Sequence, residues 1–338
     1  MILKLHKNLY ELKEHYEELY KKDKEATPFQ SFDFLLSTIK HNYFTRVKYN
    51  TKIIIYEVCD GDRPILIMPI EHYRSFCMLV STLDSLNILY DSEIGDQLLY
   101  DAFYLIINNI GKKIKFRNVR EKSKLQQILS NDKNIIIDKE TECAELDLSK
   151  FSTFEEYFSS LSKSARQNIR TYYNRMQKDN IKHLYYNLDK DKTIIKKRTL
   201  RNLYLKRFSE KNKNILKIIF TAVYEPIQKV LLEQPNVQCG ILQIKDNKEK
   251  IAAYFMGLND KINNSIVIPR LVYNSKYSRY GSGMILIIET IKDMFISSKV
   301  KTLDLGTGNE PYKYVLGCEK YMAYNYTLEV KNDTNSKH

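Results

Sequence analysis

In KTLDLGTGNEPYKYVLG, residues 301–317, a short apolar run ends in Asp304, and a carboxylate, a phenol and an ammonium follow as Glu310, Tyr312 and Lys313. A phenol can protonate a leaving group, an ammonium can balance an oxyanion developing on a carbonyl, and a carboxylate can take up a proton directly or through water. Just past the carboxyl end of a strand is where open α/β sheets hold their ligands. Pro311 has the fixed φ of a helical first turn, so Tyr312 and Lys313 should open a short helix. The competing assignments are an interface aromatic for Tyr312, a solvated side chain for Lys313 and a loop cap for Asp304 or Glu310.

Two further stretches carry chemistry. In VYNSKYSRYGSGMILIIETI, residues 272–291, a β-rich run ends near Tyr273 and a helix begins near Gly283, with Gly281 and Gly283 bracketing Ser282. Small residues at a helix start let backbone N–H groups approach an anion, and the helix dipole favours its charge, so a phosphate fits here as readily as a plain tight turn. FSTFEEYFSSLSKSARQNIRTYYNRM, 151–176, reads as one amphipathic helix, with a capping box at Ser152 and Glu155 and a stripe of Leu161, Ala165, Ile169, Tyr172 and Met176. Lys163, Arg166 and Arg170 share one flank around Asn168, as a grip for a diphosphate or as an ordinary basic surface.

The elements that must position these groups follow from periodicity. Residues 8–22 and 30–43 have apolar residues at helical spacing, whereas TKIIIYEV and PILIMPI flank an Asp-Gly step that signals a hairpin. A strand (CMLVST), a helix over 94–110, a strand (KIKFRNV), a short helix (KSKLQQILS) and a strand (NIIID) complete the first half. The second half repeats that order: helices over 153–177 and 193–233, strands VQCGILQI and IAAYFMGL about the turn DNKE, strand SIVIPRLVY, a helix over 283–297, strand KTLDL, a short helix near 311–316 and strand YMAYNYTLEV. A chain of 338 residues exceeds one typical core, and the repeated order predicts two units, 1–148 and 149–331, ahead of a disordered tail at 332–338.

The chain carries a net charge of +13, and between Leu161 and Ile215 sixteen Lys and Arg face four Asp and Glu. That excess spans several helices and favours an anionic partner: a nucleotide-linked substrate, coenzyme A, tRNA or a phospholipid surface. No apolar run is long enough for a transmembrane segment, and the opening MILKLHKNLYELKEHYEEL lacks the pattern of a secretory signal, so a cytoplasmic location is expected. The five cysteines, at unrelated spacings, suggest neither a disulfide framework nor a zinc site, and no metal is expected.

The order of YFSSLSKSARQNIR, VQCGILQIKDNKEKIAAYFMG, YNSKYSRYGSGMILIIETI and LDLGTGNEPYKYVLG resembles the CelD-like acetyltransferases of the GNAT superfamily, which stand close to the FemABX peptidyltransferases. ATPFQSFDFLLSTIK, 26–40, is similar to the N-terminal segment of that family, with Phe34 where Trp is usual. The resemblance implies an α/β (α+β) fold of two tandem GNAT-like domains, each a mixed, mostly antiparallel sheet flanked by helices, the first without a donor site of its own. It implies acetyl-CoA or another acyl-CoA as donor, held by Val272, Tyr273, Asn274, Tyr280, Gly281, Ser282, Gly283 and Met284. Tyr312 would be the acid, Lys313 an oxyanion or phosphate contact, and Asp304 or Glu310 a base. Arg166, Asn168 and Arg170 would hold a small anionic acceptor such as a nucleotide-linked sugar of cell-envelope polysaccharide. Aminoacyl-tRNA-dependent transfer to a peptidoglycan precursor is the alternative, and a binding module with a degenerate donor site ranks last; DNA is not expected as a partner. Two departures stand out: Ser278 occupies the first position of the superfamily's Gln/Arg-x-x-Gly-x-Gly/Ala loop, and Gly281-Ser282-Gly283 replaces the Ser-Pro-Gly frequent among CelD-like chains.

Overall fold

The computed structural model describes residues 1–80, 87–187, 197–224, 227–246, 248–297 and 300–329. The expected tail at 332–338, the last two residues of the run CMLVST and Asn247 of the turn DNKE lie outside the described residues. Two compact units form: Met1–Glu142 together with the chain from Tyr321, and Cys143–Lys320. No helix among the described residues is long and apolar enough to cross a membrane.

The first unit runs β1 (Ile2–His6), α1 (Lys13–Lys22), α2 (Phe32–His41), α3 (Tyr43–Tyr49), β2 (Lys52–Asp60), β3 (Arg63–His72), β4 (Cys77–Leu79), β5 (Leu89–Tyr90), α4 (Asp96–Ile110), β6 (Ile114–Arg120), α5 (Lys124–Ser130) and β7 (Ile135–Asp147), whose last residues belong to the second unit. β2 and β3 form the hairpin expected about Gly61, with Tyr56 opposite Met68. The sheet order is β1-β2-β3-β4-β6 and then the final strand, Glu319–Leu328; every pairing is antiparallel except β4 with β6. Because α4 turns Leu99, Phe103, Ile106 and Ile110 to one side, it closes a core with Val58, Ile65, Met68, Phe116 and Leu129. Each such side chain contributes about 1.5–3 kcal/mol of burial.

The second unit continues with α6 (Phe154–Ser160), α7 (Lys163–Lys178), β8 (Lys182–Asn187), α8 (Lys197–Lys211), α9 (Ile215–Tyr224), α10 (Ile227–Leu232), β9 (Val237–Asp246), β10 (Lys248–Asp260), β11 (Ser265–Tyr273), α11 (Ser282–Ser297), β12 (Thr302–Thr307) and α12 (Pro311–Val315); β13 (Glu319–Leu328), the final strand above, belongs to the first unit from Tyr321 onward. The order is the end of β7, then β12-β11-β10-β9-β8, antiparallel except for β11 with β12. Ile285, Leu286, Ile288 and Ile291 of α11 pack against Leu242, Phe255, Ile266 and Leu303 of these strands.

The single helix expected over 153–177 is two helices. Leu161 is extended, with φ −63° and ψ 152°, and Ser162 caps the second helix by accepting the Ala165 N–H at 3.1 Å. The first helix is capped by Thr153, which accepts the Glu156 N–H, rather than by Ser152. The break lets Tyr157 bury its ring and donate its hydroxyl hydrogen to the Leu316 carbonyl at 3.0 Å. Three strands, β1, β5 and β8, have no counterpart in the sequence-based reading.

Candidate functional site

The site begins with a proline. In β11 the pairing with β10 sets Arg270 opposite Met256 and Val267 opposite Leu258, so Ile268 and Pro269 face the single residue Gly257 as a bulge. Proline has no N–H to give to a ladder and is tolerated in a sheet only at such irregularities. The parallel pairing of β11 with β12 covers Ser265–Thr302, Ile266–Leu303 and Val267–Asp304 and ends there, immediately before Pro269. Beyond this point lies a cavity of about 290 Å³, lined by Ile268 to Val272 on one side and by Leu305, Thr307, Glu310, Tyr312 and Lys313 on the other, with Tyr204 of α8.

Three of the four residues expected to catalyse therefore meet at this cavity: Glu310, Tyr312 and Lys313. The Tyr312 phenol is pushed above its ordinary range by burial, and further by the nearby Glu310 and Cys318. It stays protonated at neutral pH and is suited to giving a proton rather than taking one. Glu310 is at the rim, its side chain 54 % exposed, with Oε2 3.1 Å from the Lys313 ammonium. Asp304 does not line the cavity. Its Oδ1 accepts the Gly306 N–H at 2.8 Å, so the carboxylate shapes the turn after β12.

Lys313 departs from the expected oxyanion or phosphate contact. Its side chain is buried, and its ammonium donates to the carbonyls of Gly306, Thr307 and Gly308 at 3.0, 2.9 and 2.9 Å. An ammonium has three hydrogens, and all are committed to the loop. Glu310 also folds back over Gly308, where φ is +112° and a Cβ would lie 2.5 Å from the Glu310 carboxylate. Lys313 is a tether that fixes the loop carrying Glu310 and Tyr312.

A second cation at the cavity is Arg270, which is buried and rests its guanidinium 4.1 Å from the centre of the Tyr204 ring. Sequence reasoning missed both residues. A charged side chain inside the apolar run SIVIPRLVY, directly after a proline, was the available signal for Arg270; Tyr204 lay in a long helical stretch with nothing to mark it.

The expected donor residues fall into two groups. Val272 lines the cavity, whereas Tyr273 lies under the Arg207 guanidinium of α8, 4.2 Å from its ring centre, and hydrogen-bonds to it. Asn274 caps the 3-10 turn Ser275–Tyr280 by accepting the Lys276 N–H, and Tyr280 donates to Asp179 at 2.8 Å. Both organise the loop. Gly281 has φ +55°, and a Cβ there would stand 2.5 Å from the Tyr172 ring. Glycine is required on both counts. At the start of α11 the N–H groups of Ser282, Gly283 and Met284 have no intrahelical acceptor, as in any helix, and the Ser282 Oγ is buried without a hydrogen-bond partner. A Cβ on Gly283 would meet nothing closer than Tyr273 at 3.7 Å. A buried hydroxyl, outward N–H groups and the positive end of a sixteen-residue helix fit an anionic diphosphate.

The expected acceptor residues are not at the cavity. Arg166 turns back and donates through Nη1 to the carbonyls of Ser159 and Leu161, both at 2.5 Å, capping the end of α6. Asn168 and Arg170 point to solvent, with the Arg170 guanidinium 5.7 Å from the Phe158 ring centre. The set of three basic side chains thus loses its central member. The thiol near the site, Cys318, is buried and its pKa is pushed up to about 12, chiefly by that burial, so it is no nucleophile.

Residues 163–314 match the family model described as an acetyltransferase (GNAT) domain, a span that runs from the start of α7 to Tyr314 in α12. No curated protein sequence matches the chain. Among solved structures, FemX is similar over 97 % of both chains, with a TM-score of 0.62 and 11 % identity. The C-terminal domain assigned to a lysylphosphatidylglycerol synthetase from Agrobacterium fabrum is similar over 95 % of this chain and 92 % of that one, with a TM-score of 0.57 and 11 % identity. A tandem GNAT protein of the clavulanic acid biosynthesis pathway covers 98 % and 99 %, with a TM-score of 0.54 and 10 % identity. At such identities the structures establish the fold, which is that of FemX and the tandem GNAT structure, and residues 163–314, within the second unit, are similar to an acetyltransferase (GNAT) domain, whose class of chemistry is acyl transfer.

Proposed function

We propose that the protein transfers an acyl group from an acyl-CoA, acetyl-CoA foremost, to an amine or hydroxyl of a small anionic acceptor such as a nucleotide-linked sugar of cell-envelope polysaccharide. The observation that carries this reading is the cavity at Pro269, with a protonated phenol on one wall, and on the other Leu271, which lies near Gly283 at the start of α11. The N–H groups at the start of α11 and the Ser282 hydroxyl would hold the donor's diphosphate. Glu310 would take the acceptor's proton through water, Arg270 would balance the charge developing on the carbonyl oxygen, and Tyr312 would protonate the departing thiolate. Thiol is released as the new amide or ester forms.

The first unit is proposed not to bind a donor of its own. Its comparable helix, α4, opens on the carboxylate of Asp96, which would repel a phosphate where the second unit has Ser282 and Gly283. Aminoacyl transfer from tRNA to a peptidoglycan precursor remains the second reading, favoured by the full-length likeness to FemX and by the basic helix α8. The discriminating assay follows thiol release from acetyl-CoA in the presence of amino-sugar nucleotides, alongside transfer from charged tRNA. Acceptor-dependent thiol release, with no tRNA turnover, is the expected result; the converse result would replace the first reading with the second.

A further inference from the structure

From Lys197 to Tyr224 the chain carries eight Lys and Arg against one acid, Glu210. At the end of this stretch, α9 opens with Ile215, Leu216 and Ile219, which are 70, 78 and 55 % exposed. At about 100° per residue these three share roughly a quarter of the helix circumference. Large aliphatic side chains so exposed on one turn are costly in water, and single scattered ones would need no explanation whereas a cluster does. Lys211, Lys213 and Lys217 surround the cluster, all exposed, and no acidic residue occurs between Lys211 and Tyr224.

An apolar tip in a basic collar is the pattern of a helix that lies in a lipid interface: the aliphatic groups enter the acyl boundary and the ammonium groups meet anionic headgroups. A protein partner matching this patch would need an acidic rim around an apolar socket, whereas an anionic bilayer offers both at once. We propose that the start of α9 docks the second unit onto an anionic membrane surface. Through α8 the docked helix is coupled to the donor side, because Arg207 of α8 holds Tyr273 at the end of β11. The docking does not depend on the acyltransfer reading above.

The test is co-sedimentation of the full chain with phosphatidylglycerol–phosphatidylcholine vesicles and with pure phosphatidylcholine, with no acyl donor present. Binding to the anionic vesicles only, weakened by salt, is expected, and Leu216→Asp and Ile219→Asp should each lower the partition coefficient by at least about tenfold. Both side chains are exposed, so the variants should keep the wild-type circular dichroism and melting temperature. Absence of anionic-vesicle binding, or binding unaltered in both variants, overturns the proposal. So does light scattering that shows a dimer dissociated by Leu216→Asp while vesicles are ignored, or a tRNA complex formed in place of vesicle binding.

Discussion

Replacing Tyr312 by phenylalanine is expected to lower kcat for acyl transfer by about 10²-fold or more, the usual contribution of a positioned general acid, with donor affinity unchanged. The ring packs with the core around Leu316 and would still do so as phenylalanine, so only the hydroxyl is lost. Because burial, Glu310 and Cys318 all raise the pKa of the phenol, it remains the protonated form throughout the neutral range, and its loss should be felt at every pH in that range rather than on one limb of the profile. Steady-state kinetics with calorimetric donor affinity checks this. A kcat within twofold of wild type would place the acid elsewhere; a loss confined to donor binding would make Tyr312 a wall of the cavity.

Lys313→Met should be the most destabilising change in the site, yet for a reason unrelated to catalysis. The substitution keeps most of the side-chain volume while stranding the buried carbonyl of Gly306 and the part-buried carbonyls of Thr307 and Gly308, which now share one ammonium. At about 1–3 kcal/mol for the buried carbonyl, and less for the two that water can reach, the loss is about 2–3 kcal/mol, a large part of the net stability of a domain. The ion pair with Glu310 adds little, since that carboxylate is half exposed. Lys313→Arg should not rescue, because a planar guanidinium cannot reach three carbonyls converging on one point. Denaturant unfolding measures the loss. A variant within 1 kcal/mol of wild type would show that Lys313 is a substrate contact after all.

Much of the element order was legible because it rests on local signals. The Asp60-Gly61 hairpin, the glycine at 281 and the Pro311 helix start each reflect a backbone preference that one or two residues can express. What was not legible depends on distant packing. The chain breaks at Leu161 and Ser162 because Tyr157 is drawn to the Leu316 carbonyl, a partner 159 residues away. The same holds for Lys313, whose type suggests catalysis and whose surroundings make it a tether. Pro269 was visible in SIVIPRLVY but was read as part of an uninterrupted strand; its missing N–H is the local fact from which the bulge and the cavity follow. Arg166 shows the limit of helical spacing as a guide: its position is on the basic flank, but its guanidinium is spent on the preceding helix.

The account turns on the start of α11 as the donor's diphosphate site, and Gly283→Val tests this with little risk to the fold. A Cβ at that position enters ordinary contact distance of Tyr273 and Leu271, at 3.7 and 3.9 Å, and the branched valine side chain is expected to crowd a phosphate held by the N–H groups at the helix start. Calorimetric titration of acetyl-CoA into the wild type and this variant, each shown to be folded, is therefore the most direct measurement. Micromolar binding by the wild type and none by Gly283→Val is the predicted result. Equal binding by both proteins, or no binding by the wild type, would contradict the assignment of this site to an acyl-CoA donor.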